Sequence, residues 1–536
     1  MRSVRLTSLA PLILGANLAA AQEHTHGTAS AEQLGSVHFQ TSCDSTVAPR
    51  FDRAVALLHS FEFGASIRAF NDVLAADSSC AMAYWGIALS RWTNPMAAGT
   101  RTPAQLQPGR QAAEAGFRAS PRATERERLY IAAVGQLYKD YERVDQATRV
   151  SAYARAMEDL VAKQPADTEA KIFYAIALTA AAPPTDKTYA NQLKAGSILE
   201  PLWAAQPNHP GLAHYIIHSY DVPALAPKAA AAAQRYAAIA PSAAHALHMP
   251  SHTFTRVGEW NKSIETNARS AEVAIRDSAI GEALHASDYA AYAHLQLAQD
   301  SAANALLARL PSLVTRFDPT AITGAAPASA GVFAIAAIPA RYALERRDWR
   351  DAAALAPKTS AFPWTEAMTY FARSLGASHL GDTSTARVAI DTLAAIHERL
   401  AAREPYWAEQ VAIQRLGAQA WVALAQHRTD TAVALMREAA RREDATEKSA
   451  VTPGPLAPAR ELLGDMLVEL KRPRDALVEY RATLLKEPNR FRALYGAMRA
   501  ASLAGDRASV MRYRSMLKTL CAKADKPGRP ELADIL

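Results

Sequence analysis

Six of the 15 histidines fall within 44 residues, in HPGLAHYIIHSYDVP (209–223) and HALHMPSHTFTRVGEW (245–260). Imidazole is a common ligand for zinc and copper, and also the side chain that moves protons near neutral pH. The spacing points to the first use. His214 and His218, like His248 and His252, stand four residues apart, which is about 6 Å along a helix at ~1.5 Å per residue, so two rings reach one ion from one helix. His245 joins them as a fifth expected ligand, with Asp221, His285 and Asp288 as weaker ones. A divalent transition metal follows, copper or zinc, its identity left open because no thiolate or fixed carboxylate count accompanies the imidazoles. Any one of these histidines taken alone is more simply a surface or satisfied core residue; the set carries the reading.

Other catalytic signatures are missing. The chain has no nucleophile elbow, phosphate loop, dinucleotide fingerprint or HExxH motif, so any catalysis is expected to be metal-assisted. Asp221, Arg256, Glu447 and Lys448 are the weak candidates for acid–base work. Glu447 and Lys448 follow Glu443 and Asp444 and precede a proline-rich stretch ending at Arg460 and Glu461, which reads as a groove wall or a rigid connector. Lys187 and Tyr189, in the long loop ahead of the histidines, read as part of a lid or a structured connector. Trp85 and Trp92 would face inward as an aromatic platform or as the floor of the first unit.

The elements that carry these residues repeat. In APARELLGDMLVELKRPRDALVEYRATLLKEP (457–488), Leu463, Gly464, Ala476, Tyr480 and Pro488 occupy positions 7, 8, 20, 24 and 32 of a unit begun at Ala457, and Gly505 and Asp506 mark the turn of the next. The pattern resembles the 34-residue tetratricopeptide repeat, a pair of antiparallel helices. Pro207 and Pro241 lie 34 residues apart at position 32. Counting from them puts His214, His218 and Asp221 at positions 5, 9 and 12, and His245, His248 and His252 at 2, 5 and 9 of the next unit. At about 100° per residue these positions form one stripe, facing the concave side of a solenoid. A third unit, begun at Leu284, puts His285 at 2 and Asp288 at 5. Pro250 removes a backbone donor between His248 and His252 and bends that helix.

The fold class expected is all-α: a right-handed α-solenoid of tetratricopeptide-like helix pairs. Residues 48–318 form an N-terminal solenoid with the histidine groove and residues 319–536 a C-terminal one, after a tail and lead-in segment over 22–47. Arg2 and Arg5, an apolar stretch to Leu18 and Ala19–Ala21 read as a signal peptide over 1–21, which puts the chain in the periplasm or outside the cell. Export permits a Cys43–Cys80 disulfide, set against three free buried thiols. The 321–340 stretch carries Pro327 and Pro339 and is not expected to span a membrane once the signal is removed. A net charge of +7 with no Lys/Arg block argues against nucleic acid as a partner.

Two stretches carry a wider resemblance. HPGxxHYxIHxYD, met by His209, Pro210, Gly211, His214, Tyr215, Ile217, His218, Tyr220 and Asp221, and HMPSHxFxRxGxW, met by His248, Met249, Pro250, Ser251, His252, Phe254, Arg256, Gly258 and Trp260, resemble secreted bacterial tetratricopeptide proteins of mostly unassigned function. The resemblance implies the solenoid and a shared groove, and names no substrate. Two functions are thus expected to compete. One is an exported solenoid with a histidine-rich metal groove, acting as a metal-dependent enzyme on a small molecule or peptide; the other is a non-catalytic scaffold that binds a peptide or protein partner there.

Overall fold

The computed structural model describes residues 32–535. The expected signal segment and the tail histidines His24 and His26 lie outside the described residues. All regular structure within them is helical. Antiparallel helix pairs follow one another from Ala48–His59 with Phe63–Ala76 to Phe491–Leu503 with Arg507–Leu520. First helices of neighbouring pairs pack on one another over most of the array, and each second helix lies between its own first helix and the next. Two layers result, with the first helices inside.

Local sequence sets the helix ends. Pro210 opens the Pro210–Ser219 helix at its first position, where the missing N–H has no partner to lose. Pro250 splits the next first helix into Ala244–His248 and Pro250–Val257. Gly258 ends it with φ +72°, and a Cβ there would sit 2.3 Å from the Pro488 carbonyl oxygen, so glycine is required for both conformation and space. The third histidine-bearing helix runs Ile280–Gln296. It begins at Ile280, ahead of the unit start assigned at Leu284, while Ala298 ends it with φ +53° at the same repeat position as Gly258.

Apolar packing gathers into two large cores, one within residues 34–254 together with Ala325, the other within 298–535. Cys43 and Cys80 are joined in a disulfide that ties the lead-in segment to the second helix pair, while Cys521 is free and buried. Trp85 is fully buried against Phe39, Tyr130 and Phe173, and Trp92 packs on Tyr138 beneath Arg101. Both tryptophans therefore fill the core rather than form an open platform. No helix among the described residues is long and apolar enough to cross a membrane.

The array coils back until it touches itself. The Thr100 amide donates to Glu404 (3.0 Å), the Trp260 indole N–H to the Asn489 carbonyl (2.9 Å) and the Asp525 amide to the Ala298 carbonyl (3.1 Å), while Arg529 pairs with Asp300 (2.6 Å). Three long loops, 93–102, 315–327 and 445–458, fill the interior that this closure leaves. The expected open groove is therefore roofed over. A repeat ruler gives the direction of each side chain but not how tightly the superhelix closes.

Candidate metal centre

The Pro210–Ser219 helix brings His214 and His218, the bent helix brings His245, His248 and His252, and Ile280–Gln296 brings His285. All six are buried, the most exposed at 5%. They form two triads, His214/His218/His245 and His248/His252/His285, and within each the ligating atoms lie within 4.8 Å of one another. The break at Pro250 turns His248 and His252 toward each other, Nε2 to Nε2 at 3.1 Å. His214 and His245 face each other the same way at 3.2 Å.

What holds the far side of each ring decides its tautomer. His214 Nδ1 donates to the His59 carbonyl (2.6 Å), His245 Nδ1 to Glu282 (3.0 Å) and His252 Nδ1 to Asp221 (2.8 Å). His248 Nδ1 donates to Asn267 Oδ1 (2.6 Å), whose amide nitrogen is itself committed to the Ser263 carbonyl (2.7 Å). All four partners are acceptors, so all four protons sit on Nδ1. With Nδ1 carrying the proton of each neutral ring, each close Nε2 pair sets two lone pairs facing each other at hydrogen-bond distance. His218 Nε2 and His285 Nδ1 have no hydrogen-bond partner among the described residues.

Burial, reinforced by the neighbouring imidazoles, pushes His214, His218 and His285 well below the ordinary histidine range and His248 down to about 3. His252 is also lowered by burial, although Asp221 pulls the other way. Burial alone would raise Asp221, but Lys448, Arg256 and His252 outweigh it and hold the carboxyl well below its usual range. Glu282 is kept low in the same way by His245. Burial thus favours the neutral imidazole at His214, His218, His248, His252 and His285, the form a metal-ligating histidine needs, and Asp221 and Glu282 favour the charged carboxylate.

Among the weaker candidates, His285 enters the second triad. Asp221 lies outside both ligand groups and acts behind His252, held by Arg256 (2.9 Å) with Lys448 at 3.7 Å. Asp288 joins neither ligand group. It forms a fully buried pair with Arg341 (2.9 Å), which also grips Thr452, Gly454 and Pro455 of the 445–458 loop. Glu447 meets Lys187 (2.6 Å) and Tyr189 (2.8 Å), joining the two loops. Arg460 pairs with Asp444 and Glu461 with Arg490.

His59, Asn267 and Glu282, all needed to orient the rings, escaped the sequence reading. Glu282 stands three residues before His285, a Glu-x-x-His spacing that signals metal sites in helical bundles. His59 acts through a backbone carbonyl and Asn267 from a second helix, so neither left a local signal. A further buried group, His59/Glu169/His209, differs in kind: both imidazole Nε2 atoms meet the carboxylate at 2.9 Å, so its ligand atoms are already paired with one another, and His209 Nδ1 alone has no hydrogen-bond partner among the described residues. Cys43, Asp77 and Cys80 also cluster, but both sulfurs are spent in the disulfide.

A cavity of about 120 Å³ is lined by Arg256, Lys448, Glu447 and Tyr406 and by Trp364 and Trp407, stacked at 3.7 Å. Asp221, Arg256 and Lys448 form a charged layer between it and His252.

No protein-family profile matches the chain, and no curated protein matches it. Among solved structures, a human IFIT1 dimer with PPP-AAAA aligns over 90% of this chain and 96% of its own at 12% identity and a TM-score of 0.40. The APC/C hetero-tetramer Cut9–Hcn1 aligns over 91% and 88% at 13% identity and a TM-score of 0.34.

Proposed function

We propose that the chain is an exported helical-repeat protein whose buried imidazole triads hold a divalent transition metal, with the adjoining cavity taking a small polar or aromatic ligand. The observation that carries this reading is the facing of bare nitrogens. A tetrahedral ion with nitrogen ligands at ~2.0–2.1 Å sets two of them about 3.3 Å apart; the Nε2 pairs stand at 3.2 and 3.1 Å. Without a cation between them, two buried lone pairs at that distance repel, and four separate acceptors would have to enforce the repulsion. With one, each acceptor becomes the outer partner that fixes a ligand ring. All-nitrogen sets suit copper and zinc. The disulfide supports export.

The Asp221, Arg256 and Lys448 layer supplies charged groups between the second triad and the cavity, where they can orient a polar ligand or move its proton. A partner-binding scaffold is less favoured, because the 445–458 loop lies where a long peptide would run, fastened by Arg341 and by Tyr289, whose hydroxyl meets the Ala450 and Thr452 carbonyls at 3.1 Å. The test is elemental analysis of protein purified from its native compartment. Stoichiometric copper or zinc, reduced in a His248→Ala/His252→Ala variant that still folds and absent once His214 and His245 are also replaced by alanine, is expected. Metal-free protein with undiminished ligand or partner binding would reverse the preference.

A further inference from the structure

The two triads are built alike, residue for residue. Each has one imidazole backed by a carboxylate, His245 by Glu282 and His252 by Asp221. Each has one backed by a neutral carbonyl oxygen, His214 by the His59 main chain and His248 by the Asn267 amide. Each has one with a buried ring nitrogen that finds no partner among the described residues, His218 and His285. One aromatic ring touches all three imidazoles of each set. Phe61 stands 4.4, 5.6 and 5.6 Å from His214, His218 and His245, centre to centre, and Tyr289 stands 4.9, 5.0 and 5.2 Å from His248, His252 and His285.

The triads also adjoin. His245 and His248 lie 5.9 Å apart and His218 and His252 6.0 Å apart between ring centres, no farther than His218 and His245 within the first triad at 6.3 Å. Between them is a cavity of about 10 Å³ lined by His218, His245, His252 and His285. These four are the carboxylate-backed and the unpartnered rings of both sets, while the carbonyl-backed pair stays outside it. A void of this size holds about one water. Loop residues Asn94, Ala97, Ala326, Pro327, Ala450 and Val451 close its other walls.

Building on the proposed metal-binding function, we infer that the centre is binuclear, one ion per histidine triad, with a single small oxygen ligand of the size of hydroxide bridging them in the shared cavity. Three imidazoles per ion leave one or more positions open, as in catalytic rather than closed structural sites. The duplicated outer partners give each ion its own nearby carboxylate, Glu282 behind His245 and Asp221 behind His252. In known two-metal sites the ions stand about 3.5–4 Å apart and act on one bridging atom together. An organic molecule cannot enter the void between the ions; the larger cavity beyond Asp221 is where it would sit.

The test uses the full exported chain, stripped with chelator and titrated with copper(II) or zinc alone. Two equivalents should bind to each chain. In the copper form, coupling of the paired spins should leave the paramagnetic resonance intensity far below that expected from total copper. His214→Ala/His245→Ala and His248→Ala/His252→Ala should each keep one ion and recover the full single-ion signal. The wild-type chain decides the matter even if a variant fails to fold. Saturation at one equivalent, or two equivalents with full uncoupled intensity, overturns the paired centre and leaves single-ion binding standing. A chain that takes up no metal overturns both.

Discussion

Asp221 is where the charge of the site is concentrated: one carboxylate orients His252, accepts from Arg256 and lies near Lys448. Asp221→Asn nearly preserves the shape but leaves two buried cations short of a counter-charge, so metal affinity at the second triad should fall about 10–100-fold, read by competition with a chromophoric chelator. Stability should also drop by about 3–5 kcal/mol, the scale for breaking a buried ion pair. Asp288→Asn separates two roles that sequence could not distinguish. It breaks the buried pair with Arg341 and should cost a similar amount in denaturant melts, while metal affinity changes less than about threefold; a loss as large as that of Asp221→Asn would place Asp288 in the metal site after all. The six imidazoles were legible because ligand spacing along a helix is a local property. Their orienting partners were not, since His59 lies 155 residues from His214 and contributes only a carbonyl.

At the scale of the helix, position depends on close approach. A Cβ on Gly211 would lie 2.4 Å from His59 Nδ1, and His59 is fully buried. Gly211→Ala should therefore destabilise the fold by about 1–3 kcal/mol through overpacking, and it should weaken metal at the first triad more than at the second, because the displaced residue is the one that holds His214. Equal weakening at both would count against a local route. The loop over residues 445–458 makes a second element-level case. Arg341→Ala removes its contacts to Thr452, Gly454 and Pro455, so protease cleavage within the loop and metal release to chelator should both accelerate; unchanged release would mean this loop does not roof the ions. Repeat arithmetic placed the first two histidine helices because Pro207 and Pro241, 34 residues apart, set its count. In the third unit it placed the turn at Ala298, where φ is +53°, but not the helix entry at Ile280, which no proline or capping signal marks.

For the whole molecule, periodicity dictated the helix pairs and their inward faces, and the pairs appear as expected from Ala48 onward. What periodicity omits is closure. Trp260 reaching Asn489 and Asp525 reaching Ala298 are contacts over more than 200 residues, and they, with the three interior loops, convert an expected groove into a sealed interior. The Cys43–Cys80 link closes a loop with a sequence separation of 37, so replacing both cysteines by serine should cost up to about 4 kcal/mol on the chain-entropy account, measured as a lower denaturation midpoint under oxidising conditions. The triads lie away from that bridge, and metal stoichiometry should survive its loss.

The central claim is that cations lie where the bare nitrogens meet. Anomalous diffraction from crystals of the chain purified from its native compartment, collected on either side of the copper and zinc edges, tests it most directly. The account predicts a metal peak about 2.0–2.1 Å from the Nε2 atoms of His214 and His245 and another at His248 and His252. Nitrogens left 3.1–3.2 Å apart with no anomalous peak between them, joined by a shared proton or a water, would contradict it.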